Sequence, residues 1–164
     1  MKTVSVTGHR PDKVGGYDIT VRRALGAFAA EQLLQIAPDQ VITGMALGWD
    51  QAVAGACVLI GIPFVAAIPF SGQARRWPQE AQDRYYRLME CAYDRVTVCD
   101  EFVPVNRALQ KRNEWMVDRA DEVIALWDGS FGGTHNCITY ANKKGVPVRN
   151  LWDRWDPEMM RLLG

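Results

Sequence analysis

The ten residues Trp127-Asp128-Gly129-Ser130-Phe131-Gly132-Gly133-Thr134-His135-Asn136 put three glycines and several hydroxyl or amide side chains between segments of opposite character. Before them, Glu122 to Trp127 is a short apolar run rich in β-formers, which reads as a buried parallel strand. After them, Cys137 to Lys144 follows a helical pattern that stops at Gly145, a suitable C-cap. A strand, a glycine-rich turn and a helix start in that order can bind an anion. Glycines let backbone N–H groups approach a phosphate, and the helix dipole favours the negative charge. Gly132, Gly133 and Thr134 are therefore candidate phosphate ligands, and Asn136 is a candidate for reading hydroxyls or a base. A tight turn with no ligand would use the same residues. The balance shifts because three other turns carry similar chemistry.

Thr7-Gly8-His9-Arg10-Pro11 follows the first apolar strand at once. Gly8 permits a sharp turn, Arg10 offers a planar fork for phosphate or carboxylate, and His9 can act as acid, base or donor. Thr43-Gly44-Met45-Ala46-Leu47-Gly48-Trp49-Asp50 is a second glycine turn entering a helix. Asp50 has two readings there, as a helix N-cap or as a carboxylate for ribose hydroxyls or a proton. The loop after the third strand adds Ser71, Gln73 and Trp77, which suit a base, although Trp77 equally suits the core. Arg75 and Arg76 read as a solvated face, and Asp100 to Val105 is the least informative loop.

The elements that must position these loops alternate along the chain. Strands are expected at Thr3 to Thr7, Val41 to Thr43, Pro63 to Ile68, Arg95 to Cys99, Glu122 to Trp127 and, as a short edge, Val146 to Val148. Helices are expected over Asp18 to Ile36, Asp50 to Ile60, Gln79 to Ala92 and Asn106 to Arg119. Gln32 interrupts the apolar stripe of the first helix, and the tail from Trp152 to Leu163 reads as a final helical turn or two. This alternation specifies an α/β chain, a three-layer Rossmann-like sandwich with a mainly parallel sheet, as a single domain over residues 1–164. In such sheets ligands bind outside the carboxyl ends of the strands, where the strand order reverses. The four loops above lie at that edge.

Composition narrows the function classes. Lys plus Arg and Asp plus Glu number 19 each, so the net charge is zero and no global basic field exists to neutralise a nucleic-acid backbone. Nucleic acid is thus a lesser expectation than a nucleotide-like small molecule. The start, Met1 to Thr7, is a strand rather than a signal peptide, and no run reaches transmembrane length, which points to a cytoplasmic protein and no membrane partner. Cys57, Cys91, Cys99 and Cys137 show no C-x-x-C spacing and read as buried thiols, so no metal and no cofactor is expected. Trp152, Trp155, Met159, Met160 and Leu163 either fold over the sheet or form a docking surface in a homo-oligomer.

Leu109-Gln-Lys-Arg112-Asn-Glu-Trp-Met116-Val-Asp-Arg-Ala-Asp121-Glu-Val-Ile-Ala-Leu126, followed by Gly132-Gly133-Thr134, resembles the nucleotide-binding core of the SLOG superfamily. That superfamily joins the Smf/DNA-processing-protein-A proteins to the LOG proteins. Thr7-Gly-His-Arg-Pro11 with Gly44-Met-Ala-Leu-Gly-Trp-Asp50 resembles its YpsA-like branch, found in bacteria and their phages. The likeness runs from Thr3 to about Val148. It implies a Rossmann-like fold that binds a nucleotide, an ADP-ribose-like ligand or nucleic acid at these loops, as a sensor, carrier or sequestering module. LOG enzymes cleave the N-glycosidic bond of nucleoside monophosphates with an Arg and a Glu. Arg112 matches that Arg, but Asn136 stands at the Glu position and cannot take a proton, so a LOG-like reaction would need another carboxylate such as Asp50. Asp50 and Arg112 are accordingly the catalytic candidates. Arg112 also reads as a helix-surface charge beside Asp118 or Asp121.

Overall fold

The computed structural model describes residues 1–156. Its strands are β1 (Thr3–Gly8), β2 (Gln40–Thr43), β3 (Phe64–Ile68), β4 (Asp94–Thr97), β5 (Glu122–Leu126) and β6 (Val148–Asn150). Its helices are α1 (Ile19–Ile36), α2 (Trp49–Ile60), α3 (Gln79–Cys91), α4 (Val105–Asp118) and α5 (Gly133–Lys144), with single 3-10 turns at Pro11–Lys13 and Trp152–Arg154. The strands form one all-parallel sheet in the order β4-β3-β2-β1-β5-β6. The chain steps outward from β1 to β4, then returns across the sheet to lay β5 on the other side of β1. Right-handed crossovers therefore put α1, α2 and α3 on one face and α4 and α5 on the other. This is the Rossmann-like three-layer architecture.

Period-2 alternation sends successive strand residues to opposite layers. Val4, Val6, Val41, Phe64, Ala66, Ile68, Ile124 and Leu126 join the core under α1 and α2. Ile42, Val65 and Ala67 pack with Met116 of α4, while Val123 packs with Cys137 and Ala141 of α5. Local chemistry sets the helix limits. The Asp18 carboxylate accepts from the Thr20 backbone N–H at 2.8 Å and caps α1, and Gly61 and Gly145 end α2 and α5 in left-handed conformations. Gln32 is buried in the α1 stripe because Arg154 donates to its side-chain oxygen at 3.1 Å.

Several boundaries differ from the sequence expectation. α5 begins at Gly133, four residues early, because Gly132 takes a positive φ of 147° and turns the chain straight into the helix. β6 falls later than Val146 to Val148. The Val146 N–H is used by the Ala141 carbonyl closing α5, and Pro147 contributes only its carbonyl, which accepts from Val123. β4 stops at Thr97, although Val98 and Cys99 still donate to Ile68 and Pro69. Cys91 is exposed rather than buried, since α3 meets the core through Tyr85, Leu88 and Met89 and turns Cys91 away from it. Cys57, Cys99 and Cys137 are buried and free. In the tail, Trp155 packs on Phe28 with ring centroids 5.4 Å apart, folding that part over the sheet. The helical expectation from Pro157 onward, with Met159, Met160 and Leu163, lies outside the described residues. Among the described residues no helix is long and apolar enough to cross a membrane.

Candidate functional site

β1 and β5 are neighbours, but the chain leaves them toward opposite faces of the sheet, so the loops that follow diverge. This is the topological switch point, where a crevice must open. A cleft of about 300 Å³ lies there. Gly8, His9, Arg10, Asp12 and Lys13 wall it after β1, Ser130 to Thr134 after β5, Ala46 and Asp50 after β2, and Leu109, Arg112 and Asn113 from α4.

A polar cluster ties the first two walls together. His9 Nε2 lies 2.8 Å from Asp128 Oδ1 and 3.0 Å from the Asp128 backbone N. The same Asp128 oxygen accepts from the Ser130 hydroxyl and backbone N–H, and Lys13 Nζ donates to Ser130 Oγ at 2.7 Å. These Ser130 bonds, then His9, hold the Asp128 carboxyl down at about 2. Gly8 is required for the approach, because a Cβ there would fall 2.4 Å from Trp49 Cδ1, itself fully buried. Gly48 serves the same junction. Its φ is 93°, and a Cβ would meet the His9 carbonyl at 2.5 Å.

The opposite wall carries two buried ionisable groups. Asp50 is 6% exposed and Arg112 5%. Asp50 is the second residue of α2, whose N-cap is Gly48, so the capping reading does not apply. Its Oδ2 accepts from the Ala46 N–H at 3.3 Å, while its Oδ1 is buried with no hydrogen-bond partner. Burial pushes this carboxyl up to about 6 against the opposing pull of Arg112 and the Ala46 amide. Arg112 is not a surface charge of α4 beside Asp118 or Asp121. Its Nη1 donates to the Gly44 carbonyl at 2.6 Å and its Nε to Asn113 Oδ1 at 3.0 Å, so backbone oxygen rather than a carboxylate meets the guanidinium. Burial lowers its pKa, and Asp50 partly restores it.

The third wall is the start of α5. Gly132 provides no side-chain cap, which leaves the first N–H groups of the helix open toward the cleft. Gly129 and Gly132 have positive φ and need glycine for their backbone; Gly133 does not, and a Cβ there would meet nothing within 4 Å. Phe131 is 86% exposed at the rim, T-shaped against the His135 ring at 4.8 Å between centroids.

Eight of the sequence candidates thus meet at one cleft, namely Gly8, His9, Arg10, Asp50, Arg112, Gly132, Gly133 and Thr134. Gly44, Gly48, Ser71, Gln73 and Asn136 do not line it. Gly44 and Gln73 stand behind the wall, since the Gly44 carbonyl accepts from both Arg112 and Gln73 Nε2. Ser71 is exposed in its loop, and Asn136 is exposed on α5. Asp12, Lys13, Asn113, Ser130 and Phe131 were not singled out as ligand contacts. Lys13 and Asp12 could have been found from their place just after the first-strand loop, and Asn113 from its adjacency to Arg112. Among the described residues no group of His, Cys, Asp and Glu could hold a metal ion.

Residues 4–148 match the model of the YspA SLOG family. An uncharacterized SPbeta prophage-derived protein of Bacillus subtilis, YoqJ, is 36% identical over 129 residues, covering 68% of this chain and 73% of that protein. Among solved structures, DNA processing protein A of Streptococcus pneumoniae superposes with a TM-score of 0.60 at 17% identity, over 90% of this chain and 49% of that one. The chain therefore spans about half the length of that protein. DNA processing protein A of Helicobacter pylori, described for its single-stranded DNA binding mode, gives a TM-score of 0.61 at 18% identity, over 90% and 63%. The match along the greater part of its length and the identity with YoqJ place this chain in the YspA SLOG family.

Proposed function

We propose that this chain, as a single cytoplasmic domain, binds a ligand carrying phosphate and ribose in the cleft between the β1 and β5 loops. The ligand is of the nucleotide or ADP-ribose class, and the protein serves as sensor, carrier or sequestering module. The observation that carries this reading is Asp50. A buried carboxylate oxygen without a partner is costly, and a ligand hydroxyl donating to it removes that cost. A ribose diol supplies such donors. The open N–H groups of Gly133 and Thr134 suit a phosphate, with Arg10 and Lys13 on the facing wall to balance its charge. Phe131, exposed at the rim, suits the face of a base. A volume of about 300 Å³ fits a mononucleotide.

A second reading rests on the same carboxyl. A group held at about 6 in a secluded cleft can give and take a proton near neutrality, which favours an N-glycosidase or phosphoribohydrolase with Asp50 as acid–base. The two readings share one experiment. Calorimetric titration with AMP, ADP-ribose and ribose 5-phosphate, beside a chromatographic assay for free base, is expected to give binding without release. Steady base release that is lost in Asp50→Asn would establish the enzyme instead. No heat with any of the three compounds overturns the nucleotide reading. Tighter, strongly salt-dependent binding of an oligothymidylate would move the function to single strands, as with the Helicobacter pylori relative.

A further inference from the structure

α2 carries only one charge, Asp50, and that residue belongs to the cleft. A surface helix ordinarily turns charged residues to solvent. This one presents Gln51, Ala52, Gly55, Val58 and Leu59, with Leu59 77% exposed. Its neighbours α1 and α3 stand on either side of it. Because the α2 residues are small, it forms the recessed floor of an apolar trough of about 600 Å³. The gap between α1 and α3 is the space of one intervening helix, so an occupant lying on that floor has the width of a helix rather than of an alkyl chain.

The trough walls are basic. Arg22 and Arg23 of α1 and Arg84 of α3 line it, and Glu80 is the one carboxylate among the lining residues. Arg22 and Arg84 face each other across the trough, with Glu80 beside Arg84 on α3 offsetting part of that positive charge. Arg84 Nε is buried and has no acceptor. A buried N–H without an acceptor and two facing guanidiniums both ask for an anion between them. A second copy docking through a two-fold axis would set this arginine rim against itself, which disfavours that occupant.

We propose that the trough docks an amphipathic helix of a partner protein, its apolar stripe on the Ala52–Gly55–Leu59 face and its acidic side chains between Arg22 and Arg84. The site is separate from the cleft and does not rest on the nucleotide reading.

The test uses the full chain and two labelled synthetic helical peptides of about five turns. Both carry leucines at i, i+3, i+4 and i+7; one has glutamates flanking the stripe, the other lysines. Fluorescence anisotropy is expected to show saturable binding of the glutamate peptide and at least about tenfold weaker binding of the lysine peptide. Gly55→Trp fills the floor at a position where a Cβ meets nothing within 4 Å and φ is not left-handed, so the fold is kept and binding is lost. Arg84→Glu, a charge reversal on the half-buried wall of the trough, reverses the preference between the peptides and covers the case in which Gly55→Trp fails to fold. Equal binding of both peptides, binding of neither, or unchanged binding in Gly55→Trp and Arg84→Glu overturns the proposal. So does a concentration-dependent dimer that Gly55→Trp converts to monomer, which would assign the trough to a second copy.

Discussion

The His9 imidazole and the Asp128 carboxylate, 119 residues apart in sequence, meet at 2.8 Å and hold the loop after β1 to the loop after β5. His9 Nε2 faces both the Asp128 carboxylate and the Asp128 backbone N–H, and Ser130 donates to the same carboxylate oxygen. The contact lies just past the last ladder bond, where the His9 N–H donates to the Leu126 carbonyl at 3.2 Å and the two loops diverge. His9 is buried and has the edge of Trp152 at 5.8 Å between centroids, so its ring is fixed from both sides. The chain itself therefore holds the cleft in shape.

Gly133→Val separates two roles that glycine can play. Because Gly133 does not need a left-handed backbone and faces open space, the variant is expected to melt within a few degrees of wild type. Its added methyls occupy the space over the α5 amides, so affinity for AMP should fall about tenfold or more. Thermal melts beside binding isotherms check both halves. Unchanged affinity in a folded variant would move the phosphate elsewhere.

Gly44 and Arg112 form a coupled pair. A Cβ on Gly44 would fall 2.5 Å from Arg112 Nη1, while the Gly44 carbonyl accepts from that same nitrogen. Gly44→Ala is expected to cost about 1–3 kcal/mol in the wild type by overpacking, and much less in an Arg112→Ala background. A double-mutant cycle by urea denaturation should give a coupling of about 1–3 kcal/mol. Additive effects would show that the guanidinium is free to step aside.

Asp50 gives the stability a pH signature. Its carboxyl stands at about 6 in the folded chain against an ordinary 3.8, so the folded state holds the proton more tightly than the unfolded. The resulting stabilisation is complete below the unfolded value and disappears as pH rises through about 6. Relative to Asp50→Asn, the wild type should lose on the order of 3 kcal/mol between about pH 4 and pH 7. Urea midpoints measured across that window test it, and parallel curves for the two proteins would refute it.

The thiols should sort by exposure. Cys91 is expected to react with Ellman's reagent in the native protein, while Cys57, Cys99 and Cys137 wait for denaturant. Burial pushes the Cys57 thiol up to about 12 and Cys137 up to about 11, which suppresses their thiolates as well as their access. One fast thiol and three slow ones is the expected count. Fast labelling of Cys137 would mean that α5 opens readily.

The sheet was legible because alternating apolar runs and amphipathic stretches state their period directly, and the switch-point rule then picked the loops. What the sequence could not convey was which side of each loop faces the cleft. Gln73 and Gly44 carry polar groups and turn freedom suited to a ligand, yet they serve to hold Arg112 from behind. Arg112 itself lies in a charged, amphipathic helix, and only the three-dimensional placement of α4 against β3 reveals its burial. Phe131, an apolar side chain in a glycine-rich turn, stands exposed at the rim between the positive-φ Gly129 and Gly132. Asp50 was open to two readings because N-cap and second helical position differ by only two residues.

The strand order also dictates when the cleft can exist. Synthesis delivers β1 through β4 and the helices of one face first, and nothing pairs the free side of β1 until β5 emerges, where Thr3 and Asp121 then exchange hydrogen bonds. Until α4 follows, Ser5, Thr7, Ile42, Val65 and Ala67, destined for the second layer, have no helix over them. A ribosome paused between β4 and α4 would thus present a sheet with one bare face and one unpaired central edge, an invitation to a chaperone or to a neighbouring nascent chain.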